Sequence, residues 1–586
     1  MRDACMYMKD YFLGVFIGVL LLLTYVTLPR ADYIEPNVFF YLEHLTPLYY
    51  LSLIASIVVA VFSKNRFVRI FSTIAFSLLI IFTPSVMLAN PWHMDSYPFV
   101  TEAVYVQRNG QLADVHYLLQ SPALGLVFGP YLLVTGISPF VLMKIYSGLI
   151  VTIVVLIISL IAEKMKISEK SSVIAPLCFV AIMWPNTFHF NRQNFSLVYY
   201  LASWLFLFQL ILERKDRRIF MFLGMQIILM VMAHPATPVF FVANLMGVVI
   251  VGKVFRRLGS KEVKSLTYLL LLSMFIWMLW NSTVANTRNL QVITSLVTNL
   301  FESLIEGPSR VSGFSKIVIG YTPIYRSIID IRVLLTLVVS ISGILLSFVT
   351  YLYYKSSRNK KILTILMGWI LSNLSSAVPL MYAGLPYFYR PVLFTFISWA
   401  PLGGLIYGTF EAHQHETKSP NTKGVRSAKL KKTIKSILVT IFIIIFILAP
   451  SFLLPIVKYA PLPFLHPTTR ELSTIKFMDL HRAGADVTIL EMSTPWTYSY
   501  LCGLNGTSYR LAGDDLFVNG SLSPTVAETP LIVTYRLITR DAFLSYNPSM
   551  LQIVQNVTQI LPETHDKVYD SGWPNWILIP RSNSTK

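Results

Sequence analysis

Polar residues that could take part in chemistry occur in five separate segments, each next to a long apolar run. A carboxylate held partly out of water can take up a proton near neutral pH. Arginine stays charged and presents a planar fork that suits an anion. The segments are Trp92-His-Met-Asp-Ser-Tyr97, Asn191-Arg-Gln-Asn194, His234-Pro235, Arg326–Arg332 and Tyr387-Phe-Tyr-Arg390.

Each residue in these segments also has an ordinary structural explanation. Asp95 can be a solvated loop acid or a helix cap, and His234 can be a hydrogen-bonded turn residue. The arginines can contact lipid headgroups, and the aromatic residues can belong to an interfacial belt. The functional interpretation depends on whether the five segments meet at one face of a membrane.

Composition decides the class of protein. Of the 586 residues, 54% are hydrophobic and only 13% are charged, about half the charged share of an average soluble domain. The mean hydropathy is +0.60. These values exclude a soluble globular, a disordered or a fibrous protein, and they indicate a polytopic membrane protein.

The net charge of +19 reflects membrane topology rather than nucleic-acid binding. Six basic segments between apolar runs, together with their immediate upstream flanks and the N-terminal residues, hold 28 of the 48 Lys and Arg and only 9 acids. The remainder of the chain is neutral, so the whole excess lies in these segments. The positive-inside rule places them in the cytoplasm. They are Lys64–Arg69, Lys164–Lys170, Arg214–Arg218, Lys253–Lys264, Lys355–Lys361 and Lys418–Lys435.

The apolar runs predict a mainly α fold, a transmembrane helix bundle of about 13 spans with a cytoplasmic N-terminus. Residues 121–136 are expected to lie in the outer interface or to re-enter, because a span there would reverse the topology that follows. The predicted spans are 11–28, 46–62, 70–88, 138–162, 171–187, 196–213, 219–233, 237–252, 265–283, 333–354, 362–381, 391–410 and 437–455.

The chain divides into a membrane domain, residues 1–457, and an extracytoplasmic α/β domain, residues 458–586. Loops 90–120 and 284–332 belong to the outer face of the first domain. In the second, Glu471–His481 is expected to be a helix, while Asp486–Glu491, Pro530–Tyr535 and Trp576–Ile579 are expected to be strands. Four Asn-x-Ser/Thr sequons agree with an external position for this domain.

The stretch Asp95–Leu149 resembles the first-loop region of the GT-C glycosyltransferases, which include oligosaccharyltransferases, protein mannosyltransferases and aminoarabinose transferases. In this pattern an acid follows a span and opens a long outer loop. A segment that begins with Pro comes next, then a Gly, and then a basic residue that enters the next span. The matching segments are Asp95-Ser-Tyr97, Thr101–Gly110, Gln120-Ser-Pro-Ala-Leu-Gly125, Thr135-Gly-Ile-Ser-Pro139 and Lys144-Ile-Tyr-Ser-Gly148.

The resemblance implies a sugar donor carried on a polyprenyl phosphate in the membrane. Asp95 would be the base that activates the acceptor, which could be a glycan, a lipid or a protein. The residues that would bind the donor phosphate or sugar are, first choice first, Arg390, Arg326, Arg332, Arg192, His234, Tyr387, Tyr389, Trp92 and Tyr97.

Two departures from the family pattern concern topology and metal binding. Two extra spans precede the acid loop, and the second relevant outer loop, Pro185–Asn194, has no Asp or Glu. A divalent cation such as Mg²⁺ or Mn²⁺ would then need His189 beside Asp95 as a ligand.

The alternatives that remain are a polymerase or ligase of lipid-linked glycans and, with less support, a transporter or flippase. A transporter usually contains inverted repeats and midplane polar sites, which the sequence does not show. The expected location is the cell membrane, with the endoplasmic reticulum membrane as the alternative.

Overall fold

A computed structural model describes most of the membrane region. The described residues are 2–31, 43–93, 96–112, 121–166, 168–183, 188–213, 217–284, 357–382 and 389–416, with short strands and single positions elsewhere.

Within these residues the chain is almost entirely helical. The helices are α1 (Arg2–Thr27), α2 (Pro47–Phe62), α3 (Arg66–Ile81), α4 (Thr83–Met87), α5 (Ser96–Asn109), α6 (Ala123–Thr135), α7 (Pro139–Met165), α8 (Ser171–Ile182), α9 (Arg192–Leu212), α10 (Arg217–Ala233), α11 (Thr237–Val254), α12 (Ser260–Thr283), α13 (Ser357–Tyr382) and α14 (Tyr389–Glu416).

The helices agree with the expected class, a mainly α membrane protein. Five of them, α1, α7, α9, α11 and α12, are long and apolar enough to cross a bilayer. Eleven of the 13 predicted spans coincide with helices, whereas 333–354 and 437–455 lie outside the described residues. The number of spans therefore stays a prediction.

Helix α6 is too short to cross a bilayer by itself. Its 13 residues extend about 20 Å at 1.5 Å per residue, against a hydrocarbon thickness of about 30 Å. It ends at Gly136, whose φ of +64° is the left-handed conformation that ends many helices. Because α8, in the predicted span 171–187, is described over only 12 residues, length alone does not separate the two segments, and the interfacial or re-entrant placement of 121–136 stays a prediction.

Close backbone contact joins α11 to α13 in the interior. A Cβ atom on Gly247 would lie 2.5 Å from the carbonyl oxygen of Gly368, and one on Gly368 would lie 2.5 Å from Cα of Val248. Small residues permit such an approach in membranes, where dispersion and polar contacts hold helices together. Beside them, Asn244 Nδ2 donates to the hydroxyl of Tyr200 at 2.7 Å.

Ion pairs between the basic segments gather these segments at one end of the bundle, here called the basic end. Arg66 pairs with Glu163 at 2.6 Å, and Lys361 pairs with Glu262 at 2.6 Å. Further contacts join Lys164 to Glu213 at 3.2 Å, Arg69 to Glu169 at 3.6 Å, and Arg358 Nη2 to the carbonyl oxygen of Lys164 at 3.3 Å. These contacts place parts of four predicted cytoplasmic segments on one side, as the charge pattern requires.

Seven short strands follow in the C-terminal region: β1 (Val487–Ile489), β2 (Tyr509–Leu511), β3 (Phe517–Val518), β4 (Ser521–Leu522), β5 (Leu531–Val533), β6 (His565–Asp570) and β7 (Trp576–Pro580). Five form a mixed sheet in the order β2-β1-β5-β7-β6, and β3 pairs with β4. β1, β5 and β7 coincide with the three predicted strands. The expected helix 471–481 is described only at single positions, and the α/β domain as a unit stays a prediction.

The sidedness of the membrane can be tested with two exposed positions in a chain whose three native cysteines are replaced by Ala. Asn109 is exposed at the end of α5, and Ser260 is exposed at the start of α12, beside the basic end. An impermeant maleimide added to intact cells should label Asn109→Cys. It should label Ser260→Cys only after permeabilisation. The reverse pattern would contradict the proposed orientation.

The contact between α11 and α13 predicts that Gly368→Ala destabilises the bundle by about 1–3 kcal/mol, because the added methyl meets backbone that cannot move aside. Gly224→Ala is the matched control, since a Cβ there meets nothing within 4 Å. Equilibrium unfolding in mixed detergent micelles measures both variants. Equal stability of the two variants would show that the contact is looser than described.

Candidate functional site

Several predicted site residues lie outside the described part of the chain. These are Asp95, Arg326, Arg332 and Tyr387. Tyr389 and Arg390 begin α14, but their side chains are outside the described set. Their roles stay predictions, and the site is built here from Trp92, Tyr97, His189, Arg192 and His234 and from what contacts them.

Two outer loops, 90–120 (here the first outer loop, after the family pattern) and Pro185–Asn194 (the second), meet through three aromatic side chains. The rings of His93 and His189 stack in parallel, with centroids 3.6 Å apart and an interplanar angle of 3°. Trp92 meets both rings edge-on, at centroid distances of 5.1 and 5.8 Å. Residues almost one hundred positions apart are therefore in contact immediately before Asp95.

Trp92 and Tyr97, two aromatic residues predicted to bind the donor, are buried in the interior. Trp92 is 1% exposed and Tyr97 is fully buried, and the Tyr97 ring packs edge-on against Phe140. A role in stacking on a sugar stays a prediction for both, and it would require these rings to be uncovered.

Asn191 fixes the start of α9 and the orientation of His189. Its Oδ1 accepts a hydrogen bond from the backbone N–H of Asn194 at 2.7 Å, as an N-cap does. Its Nδ2 donates to Nε2 of His189 at 2.7 Å. Because an amide nitrogen can only donate, this bond makes Nε2 the acceptor of the His189 ring. Asn191 is therefore the N-cap of α9.

A buried ion pair makes a second connection between the two loops. Arg192 Nη2 donates to Oε2 of Glu102 at 2.9 Å, and the two side chains are 8% and 1% exposed. The Arg192 guanidinium also lies 5.4 Å from the ring centroid of Phe99, one turn before Glu102 on α5. The first residue of α9 is therefore held against one face of α5.

The electrostatics of Glu102 follow from this burial. Desolvation raises the pKa of the carboxyl, and the neighbouring Arg192 and the backbone N–H of Gly125 oppose that rise without cancelling it. A cation in the first turn of a helix gains nothing from the helix dipole, which favours anions there. The placement of Arg192 therefore depends on its carboxylate partner.

Two glycines let α6 pack closely against the same face of α5 that Arg192 contacts. A Cβ on Gly125 would lie 2.6 Å from Cγ of Glu102, and one on Gly129 would lie 2.6 Å from the Val106 side chain. The four-residue spacing puts both glycines on one face of α6. The Glu102 side chain is thus enclosed between α6 and Arg192.

The backbone leading to and from residues 94–95 is anchored on both sides. Lys144 Nζ donates to the carbonyl oxygens of Leu88 and Ala89 at 2.7 and 3.2 Å. After the segment, the backbone N–H of Ser96 donates to the carbonyl oxygen of His93 at 3.1 Å. The described flanks of Asp95 are therefore held by α7 and by the His93–His189 stack.

His234 lies in the turn before α11, where it makes local hydrogen bonds. Its Nδ1 accepts from the backbone N–H of Thr237 at 3.2 Å and lies 2.9 Å from the Thr237 hydroxyl. The adjacent carbonyl of Pro235 accepts from Nε1 of Trp277 at 3.2 Å. This geometry agrees with the turn-histidine explanation, and a phosphate-binding role stays a prediction.

The described side chains do not form a metal site. Among them, no three His, Cys, Asp or Glu residues are grouped to hold an ion. The lone pairs of parallel stacked imidazoles do not converge on one point, and Nε2 of His189 accepts from Asn191. The divalent cation expected at His189 and Asp95 stays a prediction.

Sequence reasoning missed Glu102 and the two glycines of α6. Glu102 lies inside the Thr101–Gly110 segment that matched the family pattern, and Gly125 and Gly129 form a Gly-x-x-x-Gly motif. That motif is a known signal for close helix packing. It could have indicated the contact between α5 and α6, but nothing local identified Arg192 as the partner of Glu102.

Comparisons with known proteins find similarity at the level of structure. No family model matches the chain, and no curated protein matches it by sequence. One similar structure is the archaeal oligosaccharyltransferase AglB from Archaeoglobus fulgidus in complex with an inhibitory peptide and a dolichol-phosphate. The TM-score is 0.48 and the identity 11%, over 74% of this chain and 63% of that one.

Two further structures of the Archaeoglobus fulgidus oligosaccharyltransferase are similar to the same degree. One is tethered to an acceptor peptide and has a TM-score of 0.46 at 10% identity, covering 84% of this chain and 68% of that one. The other, a complex with Zn and sulfate, has a TM-score of 0.47 at 9% identity over 75% and 62%. The chain thus spans about 63% of the length of the AglB chain named first.

Removing the acid of the buried ion pair should lower the free energy of unfolding far more than removing the acid of an exposed pair. Glu102→Ala leaves the Arg192 guanidinium buried without its carboxylate and should lower the free energy of unfolding by about 3–5 kcal/mol. The control is Glu163→Ala, because the Arg66–Glu163 pair is 54% and 45% exposed and such pairs contribute about 0–1 kcal/mol. Equilibrium unfolding in mixed micelles should separate the two, and equal losses would contradict the buried pairing.

Proposed function

We propose that the protein is an integral membrane glycosyltransferase. It moves a sugar from a polyprenyl-phosphate donor to an acceptor at the membrane face opposite the basic end, with inversion at the anomeric carbon. The observation that carries the proposal is the meeting of the two outer loops, through the His93–His189 stack and the Glu102–Arg192 pair. A site assembled at one membrane face suits a substrate whose lipid tail stays in the bilayer.

The proposed chemistry assigns one role to each group. Asp95 takes the proton from the acceptor nucleophile, which attacks the anomeric carbon from the side opposite the phosphate. The bond from that carbon to the phosphate oxygen breaks, and the polyprenyl phosphate leaves with the electron pair. General-base catalysis of this kind contributes about 10²–10⁴-fold.

Arginine side chains stabilise the negative charge on the departing phosphate. Arg390 is the first candidate, with Arg326 and Arg332 next. Arg192 ranks after them because it holds Glu102. A planar guanidinium suits phosphate better than a point charge does.

The remaining partners and the location are part of the same proposal. The acceptor is a glycan, a lipid or a protein at that face. The protein resides in the cell membrane or, as the alternative, in the endoplasmic reticulum membrane. The six basic segments lie on the cytoplasmic side. Because the predicted span 437–455 follows the last of them, the C-terminal region from residue 458 is extracytoplasmic.

Asp95→Asn should lower sugar transfer by at least about 100-fold, because the amide cannot accept the proton. The measurement is transfer of radiolabelled sugar from a panel of polyprenyl-phosphate donors by purified protein in lipid. Glu163→Gln is the matched control, since this acid is part of an exposed pair at the basic end.

Two results would contradict the proposal in different ways. Equal activity of Asp95→Asn and the parent protein would remove Asp95 from the role of base. No donor consumption by the well-folded parent protein would favour a polymerase or ligase of lipid-linked glycans, or a transporter.

A further inference from the structure

Asp95 lies outside the described residues, and contacts of the described residues on either side hold the chain that leads to it and from it. Its described flanks are the residues up to His93 and those from Ser96 onwards. Ser96 begins α5, so whatever holds α5 also fixes the chain leaving Asp95. The contacts of this 14-residue helix with the rest of the bundle therefore decide how that chain is held.

One face of α5 meets both α6 and the start of α9, because Phe99, Glu102 and Val106 follow the i, i+3, i+7 spacing of a single helix face. Gly125 and Gly129 of α6 lie against Glu102 and Val106, four residues apart on α5. Arg192 of α9 lies against Phe99 and Glu102, three residues apart. Glu102 is the residue that contacts both α6 and Arg192, and it is 1% exposed.

The Glu102–Arg192 pair is also adjacent to the contact between the two loops. Arg192 directly follows Asn191, whose side chain holds the His189 ring. His189 in turn stacks on His93, two residues before Asp95. A displacement of Arg192 would therefore move the second loop, and a displacement of Glu102 would move the chain on the far side of Asp95.

We propose that Glu102 and Arg192 are positioning residues that clamp α5 to the start of α9 and thereby hold His93 and Ser96, the described residues on either side of Asp95, in place. The clamp acts on the loop through α5 and does not touch the reacting atoms. Its effect on catalysis rests on the proposed function, whereas its effect on the loop does not. Displacing a catalytic group by about 1 Å can cost about 100-fold in rate.

The test uses the exposure of a buried neighbour of Asp95. Ser96 is 2% exposed, so Ser96→Cys in a chain without native cysteines should react slowly with a maleimide when purified in lipid nanodiscs. Glu102→Gln should raise that reaction rate at least tenfold, because Arg192 loses its charged partner. Glu163→Gln, from the exposed pair at the basic end, should leave the rate unchanged.

Two further variants separate a local clamp from a general loss of stability. Ser63→Cys reports on the basic end, where Ser63 is 5% exposed, and its reaction rate should not change in Glu102→Gln. The double variant Glu102→Gln/Arg192→Gln removes both charges, and it should recover most of the protection that either single change loses. Replacing both partners of a buried pair is far less costly than removing one.

Activity provides the last measurement. Glu102→Gln should lower kcat for sugar transfer at least tenfold while the KM for the lipid donor changes less than twofold, and the double variant should recover part of kcat. An unchanged Ser96→Cys rate in Glu102→Gln, or an equal rise at Ser63→Cys, would overturn the clamp. If the parent protein transfers no sugar, the proposed function fails, and the reaction rates alone decide the clamp.

Discussion

The arrangement of the candidate site depends on one buried ion pair. Removing a carboxylate and a guanidinium from water is costly, and their mutual attraction offsets that cost only when they are in direct contact. Glu102 and Arg192 meet at 2.9 Å with both side chains almost fully buried. Neither residue can move away from the other without leaving a charge unpaired, so the pair couples two loops that are distant in the sequence.

The packing around this pair follows from the properties of a membrane protein. Lipid tails are as apolar as the helices, so close contact and polar pairing must join one helix to the next. Gly125 provides the space for Glu102 on α6, and Gly247 and Gly368 bring α11 and α13 into backbone contact. Among the described residues, ion pairs of differing exposure link the basic segments at one end of the bundle, and a buried pair links the two outer loops.

Features of the local sequence predicted much of this structure. The helices follow from the apolar runs and the grouping of the basic segments follows from their positions between those runs, and the described residues agree with both. The importance of Glu102 did not follow, because an acid on an amphipathic helix usually faces water. The burial of Trp92 and Tyr97 was equally hidden, because interfacial and interior aromatic residues look alike in a sequence.

The class of protein and the grouping of its charges follow from composition and order, because a bilayer imposes long apolar runs and confines most charges to their ends. Composition and order do not determine which residues of the outer loops touch one another. The contacts of Glu102 with Arg192 and of His93 with His189 each join positions about ninety or more residues apart. Such a contact has no local signature in the sequence, since it depends on how the intervening helices pack.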